Sequence, residues 1–201
     1  MENGGTKAQI FAQAALLFTD YGYNYTSMKE IAEKVGIRPS SIYNHYESKD
    51  ALLDQMYALY KERCLLPRLS IEACEPILQT GTAEEILEIF NYPLAEPQLE
   101  MFAITRILWA RKYIDATARE IYNTYVMEAG LNYISEVFAR GAAMGRIQNT
   151  QEELKNLGLL VLAARIFSAS AVVTDPNQEK WRIEETEMLR ALAKLLKLKD
   201  I

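Results

Sequence analysis

The stretch from Thr26 to Leu53 constrains this chain more than any other. Ser27 is placed to cap a helix, and Glu30 three residues on completes a capping box. Met28, Ile31, Ala32 and Val35 then recur at i, i+3, i+4 and i+7, the stripe of a short amphipathic helix. Gly36 falls where the chain must take positive φ to leave that helix. Pro39 has its φ pre-set for the first position of the next one, so a second helix is expected over 39–46. On it, Ile42 and Tyr46 share the face that seats it on its neighbour. Ser40, Ser41 and Asn44 face the other way, with Tyr43 and His45 on the flanks and Arg38 just before. Hydroxyls, an amide, an imidazole and a phenol make poor core but suit base edges and phosphates. Helix, glycine turn and polar-faced helix together describe a helix-turn-helix, although a surface helical hairpin of no special purpose fits the same pattern.

Charge limits what such a unit can do. The chain of 201 residues carries a formal net charge of −5, so it is no generic binder of polyanions. Within Tyr25–Asp50 the four basic residues Lys29, Lys34, Arg38 and Lys49 are matched by Glu30, Glu33, Glu47 and Asp50. Non-specific affinity for DNA should be modest, and selectivity should rest on geometry. With hydrophobic residues making up 50%, one or two domains can each bury a core. Cys64 and Cys74 have neither metal-site spacing nor a second histidine to help them, so no metal and no cofactor are expected. Two free thiols, and a polar opening at 1–6, suit a cytoplasmic protein. The apolar run at 157–174 is interrupted by Arg165, Ser168 and Ser170, so a membrane span is not expected.

Several residue types agree at fixed spacing with a known pattern. Gly36-Ile37, Ser41-Ile42-Tyr43-Asn44-His45-Tyr46 and Ser48-Lys49-Asp50-Ala51-Leu52 resemble the signature of the tetracycline-repressor (TetR) family of bacterial regulators. The likeness covers roughly the first quarter of the chain and includes Ala15, Phe18 and Gly22 in the preceding helix. It departs at Arg38, where a Ser or Thr cap is common, and at Tyr46, which replaces Phe. The resemblance implies a DNA-binding unit at 1–48 and a ligand-binding and dimerisation unit at 49–201. It also implies that Lys49 meets a backbone phosphate. With the outward residues, this gives Ser27, Arg38, Ser40, Ser41, Tyr43, Asn44, His45 and Lys49 as the DNA-binding set.

Beyond residue 48 no motif appears, only helical periodicity: no stretch alternates with period two, so the expected fold is all-α with about nine helices. Capping boxes stand at Thr82–Glu85 and Thr150–Glu153, and Ser48 caps a helix running to about residue 65. Pro67 and Pro76 should break the next stretch into short irregular pieces, a helix should run to Tyr92, and one long helix should follow Asp115 as far as Gly145. The final helix is expected over 178–198. The middle of the chain is rich in aromatic and thioether side chains, which can be core or can line a ligand chamber. The resemblance places the effector pocket there, giving Tyr57, Tyr60, Met101, Phe102, Arg106, Trp109, Tyr113, Tyr122, Tyr125 and Phe167 as candidates, with Arg106 as a charged anchor or else a partner in a salt bridge.

Residues 151–198 carry apolar and small side chains, including Leu157, Leu160, Val161, Ala164, Ser168, Ala171, Val172, Leu189, Leu192, Ala193 and Leu196, that can form a homodimer surface or close the monomer core. Catalysis is not expected: His45 is the sole histidine, and no Walker, GxGxxG or HExxH sequence is present. The expectation is a DNA-binding regulator, most simply a repressor, that reads a palindromic double-stranded operator as a homodimer and answers to a small-molecule effector. An all-α small-molecule-binding protein with a vestigial helix-turn-helix is the alternative.

Overall fold

The computed structural model describes residues 5–63, 69–90, 99–174 and 178–199. Among them there are ten α-helical segments and one isolated antiparallel bridge, Ile147 with Leu198. Two of the segments are the ends of one continuous helical run, so the expected all-α count of about nine holds. The chain divides into two compact units, one from 1–65 with 96–123 and the other from 66–95 with 124–201.

In the first unit α1 (Thr6–Asp20) packs on α2 (Met28–Val35), α3 (Lys49–Arg63) and α6 (Leu99–Arg111), and α3 also meets α7 (Ala116–Ile121). Ile10, Ala14, Ile31, Ile42, Leu52, Met56, Ile104 and Leu108 are fully buried and form its centre. Thr26 closes the turn after α1: its hydroxyl donates to Gly22 O at 3.0 Å, and Gly22 takes a φ of +90°. Thr19 Oγ1 donates to Ala15 O at 2.8 Å and reaches Ala103 O on α6 at 3.3 Å, a close approach that the small, buried Ala103 permits.

The second unit is built from α4 (Ile71–Thr80), α5 (Ala83–Glu88), α8 (Ala129–Ala143), α9 (Gln151–Thr174) and α10 (Gln178–Ala193). α4 packs on α8, α8 on α9, α9 on α10, and α10 on α5. Phe90 is the aromatic hub, edge-to-face with Phe138 at 5.4 Å and with Tyr133 at 6.1 Å. By length and composition Gln151–Ala171 could cross a membrane, but core helices pass the same test. Leu157, Val161, Ala164 and Ser168 of this helix are buried inside the unit.

Three local expectations need correction. α4 runs straight through Pro76 instead of breaking there, because Pro76 is exposed and the single backbone bond it forfeits lies at the surface. The long helix after Asp115 contains a π segment, Tyr122–Glu128, which a 3.6-residue periodicity cannot reveal. The last helix ends at Ala193, not at Leu198. The tail instead pairs with the 146–149 loop: Gln148 N donates to Lys197 O at 2.8 Å and Lys199 N to Arg146 O at 2.9 Å. The expected end of the earlier helix at Tyr92 falls outside the described residues; its α-helical part closes at Glu88.

Candidate nucleic-acid interface

Local chemistry builds the helix-turn-helix in sequence order. Ser27 Oγ accepts from Glu30 N at 3.2 Å, and Glu30 Oε2 accepts from both Ser27 N at 2.7 Å and Ser27 Oγ at 2.8 Å. The capping hydrogen bonds hold the Glu30 carboxyl below its usual pKa. α2 ends in a Schellman closure: Gly36, at φ +78°, sends its amide to Glu33 O at 3.2 Å, and Ile37 N reaches Ala32 O at 3.0 Å. Ser41 N then bonds Arg38 O at 2.8 Å, opening a tight turn through Pro39 and Ser40.

The second helical element is shorter than the expected span of 39–46. Only Ile42–Asn44 forms a 3₁₀ turn, extended by one α-type bond from Tyr46 N to Ile42 O at 3.0 Å. Arg38 before Pro39 supplies no side-chain cap, which removes the usual start signal for a longer α-helix. The division of faces survives. Ile42 and Tyr46 are buried, Arg38, Ser40, Tyr43 and Asn44 are exposed, and Ser41 and His45 are half-buried.

Two residues of the expected DNA-binding set already hold partners within the chain, half-buried Lys49 and exposed Ser27. Lys49 Nζ donates to Tyr23 O at 2.7 Å and to Thr26 O at 2.8 Å, and lies 4.3 Å from the centre of the Tyr23 ring. Its ammonium therefore clamps the turn between α1 and α2, with two of its three protons spent on those carbonyls. The Ser27 hydroxyl is likewise committed, with its proton on Glu30. Ser27 is held because its oxygen takes an orphan amide of the helix start, Glu30 N, whereas Lys49 is held by carbonyls of the turn before α2.

Tyr23, in the turn between α1 and α2, is the centre of this clamp. Its hydroxyl donates to Asp50 Oδ1, its ring stands edge-to-face on Phe18 at 5.1 Å, and the Arg111 guanidinium lies 4.4 Å from its centre. Arg111 also donates through Nη2 to Asp115 Oδ2 at 2.9 Å and through Nε to the Tyr57 hydroxyl at 3.2 Å, while Tyr57 donates to Asp115 at 3.0 Å. Burial works to raise the Asp115 pKa, but the Ala118 amide, Arg111 and Tyr57 outweigh it and leave the carboxyl below its ordinary value. The network joins the starts of α3 and α7 and the end of α6 to the turn before α2.

An open cleft of about 650 Å³ lies beside α2, lined by Tyr21, Tyr25, Glu30, Glu33 and Lys34 among others. Its two carboxylates make it a poor seat for phosphate.

Of the ligand candidates, Tyr57, Tyr60, Met101, Phe102, Arg106, Trp109, Tyr113 and Tyr122 belong to the first unit, and Tyr125 and Phe167 to the second. Tyr57 and Tyr60 are buried; Met101, Phe102, Arg106, Trp109, Tyr122 and Tyr125 are half-buried; Tyr113 and Phe167 are exposed. Arg106 makes no salt bridge among the described residues, whereas Arg165 pairs with Glu185.

Residues 10–56 match the family model for bacterial regulatory proteins of the tetR family. Over these residues the chain is similar to the DNA-binding region of that family. It is 25% identical over 170 residues to the negative transcriptional regulator IcaR of the biofilm operon icaADBC from Staphylococcus aureus (strain Newman), covering 82% of this chain and 84% of IcaR. It is also 27% identical over 124 residues to the probable HTH-type transcriptional regulator YttP of Bacillus subtilis (strain 168). That match takes in 61% of this chain and spans 58% of YttP, about three fifths of its length. A solved structure of similar fold is the SmeT–triclosan complex, with a TM-score of 0.66, 13% identity and coverage of 98% of this chain and 93% of that one. The family match falls on the helix-turn-helix described above, and both relatives are named as transcriptional regulators.

Proposed function

We propose that the chain is a repressor that binds a palindromic DNA operator as a homodimer and is released by a small-molecule effector. The observation that carries this reading is the exposed edge Arg38–His45, held outward by buried Ile42 and Tyr46 at the turn after α2. Arg38, Ser40, Ser41, Tyr43, Asn44 and His45 are the reading residues, and Lys49 and Ser27 hold the scaffold behind them. IcaR, a negative regulator by name, supports repression.

One helix-turn-helix covers a half-site, so two-fold pairing is needed to read a palindrome with halves about 34–36 Å apart. Residues 151–198 remain the proposed dimer surface, but through a different face. Leu157, Val161, Ala164, Ser168, Leu189, Ala193 and Leu196 are buried in the chain's own core, and the side chain of Val172 lies outside the described residues. The exposed apolar side chains are Leu159, Leu160 and Phe167 on α9 and Ile183 on α10. Leu160, Ala163 and Phe167 fall at i, i+3 and i+7, one stripe, and Phe167 meets Trp181 edge-to-face at 5.9 Å, tying the stripe to α10.

For the effector, the triclosan bound by SmeT supports a ligand-taking fold of this kind. α3 is the proposed transmitter: it starts at the Tyr23 clamp and carries Tyr57 into the Arg111–Asp115 network. An effector shifts DNA affinity only by its unequal affinity for two arrangements of this helix, commonly about 1–3 kcal/mol. A gel shift with DNA upstream of the chain's own gene, combined with light scattering, tests the proposal. A retarded fragment bound by a dimer is the expected result, and a monomer that retards no fragment would overturn it.

A further inference from the structure

At the end of α6 a lysine sits inside a box of its own neighbours. Lys112 Nζ lies 3.7 Å from the centre of the Tyr122 ring, 5.1 Å from Trp109 and 5.2 Å from Tyr113. Trp109 and Tyr122 stand edge-to-face with centroids 5.7 Å apart and planes at 86°, so they form two walls of a corner. Tyr113, 76% exposed, forms a third wall that is free to swing. Among the described residues Lys112 has no salt-bridge partner. Three ring faces surround its ammonium.

We propose that the box of Trp109, Tyr113 and Tyr122 is a site for an organic cation, which the Lys112 ammonium fills when no ligand is bound. This site rests on the reading of the chain as effector-responsive, and it gives the ligand class for part of that region. Aromatic faces attract cations through their quadrupoles, Trp most strongly, and several faces around one charge are the arrangement that recognises quaternary ammonium groups. A lysine ammonium carries three protons that each seek an acceptor, and ring faces satisfy them poorly. A quaternary ammonium has no N–H to satisfy, so it gains the same ring contacts at a lower desolvation cost. The long, flexible lysine stem lets the resident leave without moving the helix. The Trp109 indole N–H is buried and has no acceptor among the described residues.

Electrostatics set the direction of the variant effects. Arg119 lies close by, its guanidinium donating to the carbonyls of Lys112 at 3.1 Å and Tyr113 at 3.3 Å, so the native box already holds one cation and borders a second. Removing the resident should therefore strengthen binding, the opposite of what deletion of an ordinary contact residue does.

The test is an NMR titration of the full chain with tetramethylammonium, tracking the Trp109 indole N–H resonance, assigned by its survival in Trp181→Phe. The native chain should show a saturable shift. Lys112→Ala, a change at a partly exposed site, should bind about tenfold tighter, because the ligand no longer has to displace the resident ammonium. tert-Butanol, similar in size but uncharged, should produce no saturable shift. No saturation by tetramethylammonium in either the native chain or Lys112→Ala would overturn the proposal, as would equal binding of tert-butanol. A parallel gel shift keeps the two readings apart. Saturable cation binding that leaves operator affinity unchanged upholds the cation site while counting against release by effector.

Discussion

Lys49 Nζ sits 2.7 Å from the carbonyl oxygen of Tyr23 and over the same residue's ring. One side chain thus fixes where the turn before α2 meets the start of α3, and with it the pose of the proposed reading edge. This makes Lys49 a positioning residue. Lys49→Met keeps the stem and removes the charge, leaving the Tyr23 and Thr26 carbonyls without their shared donor. A loss of about 1.5–3 kcal/mol is expected in urea denaturation, the usual worth of a hydrogen bond to a charged group. The salt slope of operator binding should stay as in the native chain.

Arg38→Ala should behave in the opposite way. Arg38 is exposed on the proposed reading edge, so its loss should leave the urea midpoint unchanged and flatten the salt slope by roughly one unit. Asn44→Ala should cost about 1–3 kcal/mol on the preferred operator and relax the choice of one base pair. Binding measured from low to moderate salt on matched and mismatched fragments separates the three behaviours.

Much of this unit was legible in the sequence because its signals are local. The Ser27–Glu30 box, the Gly36 closure and the Ser48 cap, whose hydroxyl accepts from Ala51 N at 3.0 Å, each involve residues within a few positions of one another. The hold of Lys49 on the turn before α2 was not legible, since its acceptors lie 26 and 23 residues away. For the same reason the Tyr23–Arg111 contact could not be read from spacing. Periodicity also failed where two answers share one pattern: α9 is apolar on most sides, and only the fold shows that Ala164 faces the core and Leu160 faces out.

The two faces of α9 should respond differently to an added charge. Leu160→Glu or Phe167→Glu should split the proposed dimer while each chain stays folded, because both side chains are exposed in the single chain. Ala164→Glu should unfold the second unit instead, by burying a charge with no partner. Sedimentation alongside circular dichroism distinguishes dissociation from unfolding.

Asp115 sets an acid limit. Its carboxyl is held below its ordinary value, so the stability it provides is fully present above about pH 4 and is lost as pH falls through the lower, folded-state value. Asp115→Asn should lower the melting temperature near neutral pH and make the acid limb shallower than that of the native chain. Equal slopes would mean that the Arg111–Asp115–Tyr57 network contributes nothing to acid sensitivity.

The central claim is that the edge Arg38–His45 reads DNA sequence. The most direct measurement is the affinity of the native chain for randomised double-stranded DNA under repeated selection, at fixed salt, and then the same selection with Asn44→Ala. The native chain should enrich a two-fold symmetric sequence, and Asn44→Ala should enrich one with a symmetric pair of positions relaxed. Enrichment of no sequence by the native chain, or of an identical sequence by both, would contradict the claim.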